Sequence, residues 1–188
     1  TVCAAGKYSD ALGAASWSTC SICGMGKYAP GTGNTAESDC IDCVAGKYSA
    51  SSAATSATTC IDCVAGKYSS VAGITSATNC VGCDKGKYSD LAGQSAESSC
   101  AQCEAGKYSH LLGATYCIDC VAGKYSTESG NTGFANCVAC VAGKYSIVVG
   151  AASDVCVECE KGKFSATVGS SAESRCALCL SGTYSAGT

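Results

Sequence analysis

A chain of 188 residues with 19 cysteines and 23 glycines, but only two phenylalanines and one tryptophan, has too little bulky apolar material for a conventional core and has to rely on cross-links. Its net charge of −3 is scattered singly, so there is no basic patch for nucleic acid and no acidic interaction tail. No apolar run approaches the roughly 18 residues needed to span a membrane. The cysteine content exceeds the roughly one-in-ten level of a disulfide scaffold. Such a framework persists in an oxidising compartment, so the expected location is extracellular, secreted or on the cell surface.

In chain order, C-x2-C pairs recur at a step of about twenty residues, the mark of a tandem repeat. The chain reads as one array over 1–188, with units 3–22, 23–42, 43–62, 63–82, 83–102, 103–119, 120–139, 140–158, 159–178 and a partial unit 179–188. Thr1-Val2-Cys3 has the phase of an interrupted C-x2-C, and the unit opened by Cys179 stops at Thr188. The sequence is therefore expected to be a window on a longer protein.

Each unit opens with its second cysteine and a Gly-Lys-Tyr-Ser tag. The Gly is present in every unit, from Gly6 to Gly182; the exceptions at the next three places are Thr183, Phe164 and Ala29. A second Gly stands further on, as at Gly13, Gly33 and Gly73, with Ala53 its one failure. Lys-Tyr-Ser suits a strand, because Tyr favours a half-buried pleated surface. Period-two alternation is expected to put Tyr on one face and its Lys and Ser neighbours on the other. The first Gly should adopt a positive φ or admit a close backbone approach, and the second should lie where the chain reverses.

Helix should be minor: a turn at Ala36-Glu37-Ser38 or Ala96-Glu97-Ser98. The unit at 103–119 is three residues short between Gly113 and Cys117, which places the tolerant loop in the second half of the unit. The expected fold is small, disulfide-rich and all-β. Hairpin repeats with strands of about five residues would stack into an elongated solenoid or rod, with contacts mostly between neighbouring units.

Translational symmetry limits the cysteine pairing to three patterns. Bonding within C-x2-C gives a tight ring of the redox type and ties no unit to anything. Bonding each first cysteine to the second of the next pair, as in Cys20–Cys43, strands Cys3, Cys23 and Cys176. Bonding each second cysteine to the next first one gives Cys3–Cys20, Cys23–Cys40, Cys43–Cys60, Cys63–Cys80, Cys83–Cys100, Cys103–Cys117, Cys120–Cys137, Cys140–Cys156 and Cys159–Cys176. This last pattern leaves only Cys179 for an inter-unit or intermolecular partner, and it is favoured. A rival is zinc, since two C-x2-C pairs at this separation have ribbon spacing. Against it, the number of pairs is odd and the units show no alternation. No cofactor or metal is expected.

The C-x2-C, G-K-Y-S, Gly, C-x2-C combination resembles the ephrin-receptor-like (GCC2/GCC3) cysteine-rich repeat over nearly the whole chain. The stretch Cys3 to Cys20, with Gly6-Lys7-Tyr8, is also similar to the one-disulfide module of tumour-necrosis-factor-receptor repeats. The resemblance implies an extracellular, disulfide-bonded, elongated architecture. The uncommon proline (Pro30 alone) and the Lys after the tag Gly depart from the family pattern. Long, near-identical arrays of this kind resemble fibrous surface proteins and flagellar-hair shafts of protists and algae.

The lysine ladder reads as a solvated face, partly neutralised by Asp42, Asp62, Asp119 and Glu158, ahead of a surface for an acidic polymer. The tyrosine ladder reads as rings that cover disulfides and seal one unit on the next, ahead of a sugar-stacking platform. Ser51, Ser52, Thr55, Ser56, Thr58 and Thr59 are candidate O-glycan positions, whereas Asn34, Asn79, Asn131 and Asn136 all fail the N-glycan sequon. The single histidine, His110, cannot build a triad or metal cluster. No Gly-Lys is followed by Ser or Thr as a phosphate loop requires. The chain is therefore expected to be no enzyme but an extracellular structural protein: the shaft of a filament, flagellar hair or surface coat, partnered by copies of itself or by its own continuation. The alternative is a cysteine-rich stalk or ligand-binding ectodomain of a receptor or adhesin, which would need some unit to diverge; only the short one at 103–119 does.

Overall fold

The unit around Cys43 shows how the tag folds. Gly46 takes φ +85, so Lys47 N–H can turn back to the Val44 carbonyl at 3.1 Å. Lys47–Tyr48 then pairs antiparallel with Ile61–Asp62, the two residues between the cysteines of the next pair. The ladder closes with Cys63 N–H on the Gly46 carbonyl at 2.8 Å. Between the strands, Ala57–Thr59 forms a single 3-10 turn that delivers Cys60 to Cys43. The computed structural model describes residues 2–11 and 17–183 of the chain. Gly13, Tyr184 and Ser185, which the repeat pattern also selects, lie outside the described residues.

The chain divides into two compact units: Thr1–Cys83 with Ser89–Cys100, and Asp84–Tyr88 with Ala101–Thr188. Among the described residues, the first holds four hairpins, from Lys7–Tyr8 with Ser21–Ile22 to Lys67–Tyr68 with Val81–Gly82. The second holds five, from Lys87–Tyr88 with Ala101–Gln102 to Lys163–Phe164 with Ala177–Leu178. Every strand among the described residues is two residues long, not about five. The reason lies at the tag serine, where the backbone leaves its own hairpin for the next repeat. Ser49 N–H donates to the Ile74 carbonyl at 3.2 Å, and Tyr48 bridges Ile74 in parallel.

Within each unit the same rungs recur between successive repeats. In the first, Gly46 N–H donates to Ser69 and Gly73 N–H to Cys43, at 2.9 and 2.8 Å. In the second, Gly106 N–H donates to Ser126 and Gly130 N–H to Cys103, at 2.8 and 2.7 Å. The packing also reaches the second neighbour. A Cβ on Gly46 would press against the carbonyl of Gly93, and one on Gly106 against that of Gly150, both closer than the 3.0 Å that real Cβ atoms respect. Contacts thus extend further than the nearest-neighbour expectation. Neighbouring repeats are bridged backbone to backbone, about 4.8 Å apart, with no layer of large side chains to hold the next one off.

What is buried fits that thinness. Cys23, Cys43, Cys63, Cys83, Cys103 and Cys120 are fully buried, and apart from Asn131 the other buried side chains are cysteines or small, such as Ala29, Ala54 and Ala151. The tag serines join them: Ser49 is 0% exposed. Strand alternation placed Ser with Lys on an outer face; the pleat ends at Tyr, so Ser turns inward. There its hydroxyl satisfies the local turn, as where Ser69 Oγ accepts from Val71 N–H at 3.2 Å. Ala53, which replaces the second Gly, holds φ +54, a left-handed conformation that costs a residue with Cβ about 1–2 kcal/mol.

Candidate functional site

Nine disulfides join each second cysteine to the first cysteine of the next pair: Cys3–Cys20, Cys23–Cys40, Cys43–Cys60, Cys63–Cys80, Cys83–Cys100, Cys103–Cys117, Cys120–Cys137, Cys140–Cys156 and Cys159–Cys176. Cys179 is free and half-buried. With most bonds spanning 17 residues, each contributes roughly 3 kcal/mol by restricting the unfolded chain. This density of disulfides suits a secreted or extracellular protein. Among the described residues, no group of three or more His, Cys, Asp or Glu side chains is placed to hold a metal ion, and no helix is long and apolar enough to cross a membrane.

The lysine ladder is largely paired. Hairpin register sets Lys27 opposite Asp42, Lys47 opposite Asp62, Lys107 opposite Asp119 and Lys144 opposite Glu158. The ammonium–carboxylate distances are 3.0, 2.6, 2.7 and 3.5 Å. Hydrogen bonding to Asp119, then its charge, raises the Lys107 pKa. Lys163 is raised likewise by Glu160 and Glu173, and Glu160 is lowered by Lys163. These pairs are exposed, so they neutralise a face more than they hold the fold. Two of the acids also pack beside the second glycines of later repeats, Asp42 by Gly73 and Asp62 by Gly93.

The tag tyrosines are half-buried from Tyr8 to Tyr145. Tyr8 packs on Cys23, Ala29 and Cys40, so its ring covers the disulfide of the following repeat. Phe164, the exception in the tag, is exposed. Asn34 and Asn131, which follow the second Gly, reach back a repeat: their side-chain amides donate to the Lys7 and Lys107 carbonyls at 2.9 and 3.1 Å. Sequence reasoning missed these two as fasteners. Other repeats carry Ala, Ile, Gln or Ser at that place, so the pattern gave no signal.

The 3-10 turn sits in the second half of most repeats, including Glu37–Asp39 and Glu97–Ser99. At the first, the Thr35 and Ala36 backbone N–H groups donate to the Asp39 carboxylate at 2.7 and 3.1 Å and lower its pKa. Of the hydroxyl cluster in the third repeat, Ser51, Ser52, Thr55 and Thr58 are exposed, while Ser56 and Thr59 are half-buried. Ser56 Oγ accepts from Thr58 N–H and hydroxyl at 3.2 and 3.0 Å, and Thr59 donates to the Ser56 carbonyl at 2.7 Å. His110 is exposed, with its ring centroid 6.2 Å from that of Tyr108.

One corner of the repeat differs along the chain. In the repeat opened by Cys120, Lys124 Nζ lies 4.2 Å from the centroid of Phe134. Phe134 meets Tyr108 of the previous repeat edge-on at 6.1 Å. In the repeat opened by Cys103 there is no 3-10 turn, and the equivalent corner is an open cavity of about 220 Å³ lined by Tyr88, Glu104, Lys107, Tyr116 and Cys117. No protein-family model matches the chain, and no curated protein matches it.

Proposed function

We propose that the chain is an extracellular structural protein that forms part of the shaft of a filament, flagellar hair or surface coat and assembles with copies of itself. The observation that carries this reading is the identity of the rungs. The same three backbone donors, the tag Gly, the tag Ser and the second Gly, bond the neighbouring repeat again and again in each unit. Such a device adds length without changing its geometry, and cross-links inside each repeat resist extraction and proteolysis. The resemblance to ephrin-receptor-like repeats and to the fibrous arrays of protists and algae points the same way. So does a surface whose lysines are neutralised in register, which leaves no strong field to recruit an acidic polymer. O-glycans belong on Ser51, Ser52, Thr55 and Thr58, the exposed residues of the cluster.

The test is electron microscopy of native material with an antibody to this chain. Label repeating along a filament is the expected result. Label on isolated cell-surface particles without filaments would promote the second reading, a receptor or adhesin stalk. That reading is favoured by one observation, the divergent repeat between Cys103 and Cys117.

A further inference from the structure

We infer that the short repeat holds a binding site for a neutral pyranose sugar, in the cavity bounded by Tyr88, Glu104, Lys107 and Tyr116. The site stands apart from the shaft reading, since either a filament or a stalk could carry it. A cavity of about 220 Å³ lies below the usual range for drug-sized ligands and suits a single sugar ring. Two tyrosines line it, and Tyr116 is 69% exposed. That is unusual for a large ring with no packing duty, and it offers the apolar C–H face of a sugar a surface to stack on. Tyr116 also borders a second, more apolar cavity of about 140 Å³, formed with Leu111, Ala114 and Ile118. Open space therefore adjoins the ring in two places.

The polar groups decide the ligand class. Lys107 gives one hydrogen bond to Asp119 at 2.7 Å, and an ammonium has three donors, so two remain for hydroxyls. The exposed Glu104 carboxylate, which lines the same cavity, supplies acceptors. A polyol uses both kinds. An anion would meet Glu104 and Asp119, and a cation would meet Lys107, so charge disfavours each. The sequence makes the site here and not elsewhere. In the full-length repeats the residue before the first cysteine ends a 3-10 turn and is small or polar, as Asp39, Thr59, Asn79 and Ser99 are. The turn is also missing before Cys156, where Val155 stands; among the described repeats an aromatic, Tyr116, takes that place in the short one alone.

The experiment titrates the 188-residue chain with methyl glycosides of glucose, galactose, mannose, xylose and arabinose, followed by calorimetry and saturation-transfer NMR. Saturable binding of at least one neutral glycoside is expected. Tyr116→Ala and Glu104→Gln should each weaken it at least tenfold. Tyr116→Phe should hold it within about threefold, because the ring and not the hydroxyl stacks. Val141→Ser, on an exposed side chain elsewhere, should leave it unchanged and controls for folding. Absence of saturable binding across the panel overturns the site. So does binding that survives Tyr116→Ala, or tighter binding of a sulfated sugar or of choline than of every neutral glycoside.

Discussion

Two consecutive repeats use the same corner in opposite ways. Between Cys120 and Cys137, Phe134 rides on a 3-10 turn and closes over Lys124 and Tyr108. Between Cys103 and Cys117, the turn is missing and Tyr116 stands exposed beside Lys107 and Tyr88. The tag and the two-residue hairpin are the same in both. The shortened loop leaves the rungs to the following repeat in place: Gly106 N–H still donates to Ser126, Ser109 N–H to Asn131 and Gly130 N–H to Cys103. A change of three residues converts a packing contact into a cavity and keeps the hairpin and its disulfide.

The largest effect should be common to both repeats. Replacing Cys120 and Cys137 together by Ala, or Cys103 and Cys117 together, removes a bond spanning 17 or 14 residues. Each should cost about 3 kcal/mol, with a loop-length difference of only about 0.2 kcal/mol. Denaturant unfolding measures this. A loss under about 1 kcal/mol at Cys103–Cys117 alone would show that the short repeat is not held as its neighbours are.

Next comes the close approach across two repeats. Gly106 and Gly143 have φ +81 and +85, so Ala at either carries a left-handed cost of about 1–2 kcal/mol. A Cβ on Gly106 also meets the Gly150 carbonyl, whereas one on Gly143 meets nothing within 4 Å. Gly106→Ala should therefore cost a further 1–3 kcal/mol or so, the usual range for overpacking. Equal losses in urea melts would mean that contact with the second neighbour contributes nothing.

The corner itself should give a smaller difference. Phe134→Ala loses an edge-on aromatic contact and a cation–π contact, about 1 kcal/mol together. Tyr116→Ala should change stability by less than about 0.5 kcal/mol, as an exposed side chain does. A comparable loss at Tyr116 would make it a packing residue and not a free ring.

The smallest effect is in pH. The folded pKa of Lys107 is raised above 10.5 by Asp119. Its contribution is therefore complete below that pH and lost as pH rises through the raised value. Asp39 has its folded pKa lowered below 3.8, so its contribution is present above that value and lost as pH falls through the lowered one. Lys163 is raised in the same way by Glu160 and Glu173, so Asp119→Asn should shrink the alkaline limb by the share of Lys107 and leave that of Lys163. Thermal melts across both limits measure it, and an alkaline limb undiminished in Asp119→Asn would assign it elsewhere.

Much of the repeat was legible from the chain alone because periodicity makes each position report on itself many times. Asp42, Asp62, Asp119 and Glu158 could be matched to the lysines since a hairpin between C-x2-C pairs fixes register. The turns near Glu37 and Glu97 followed from small polar residues just ahead of the cysteines. The buried tag serine and the two-residue strands were not legible. Both depend on where the backbone abandons its own hairpin for the next repeat, and no local alternation records that. The cavity beside Tyr116 was visible only as a length anomaly, since a ring before a cysteine says nothing of what faces it.

The sequence by itself determined the repeat, its cross-linked and coreless character, and the hairpin. Those follow from composition and from bonds closed within about twenty residues. Only the tertiary structure decided how repeats meet: the parallel bridge from Tyr48 to Ile74, the approach of Gly46 to Gly93, and the corner that Phe134 closes and Tyr116 leaves open. These contacts join residues more than one repeat unit apart in the chain. Their geometry is set by backbone spacing between whole repeats, a quantity that no single repeat encodes.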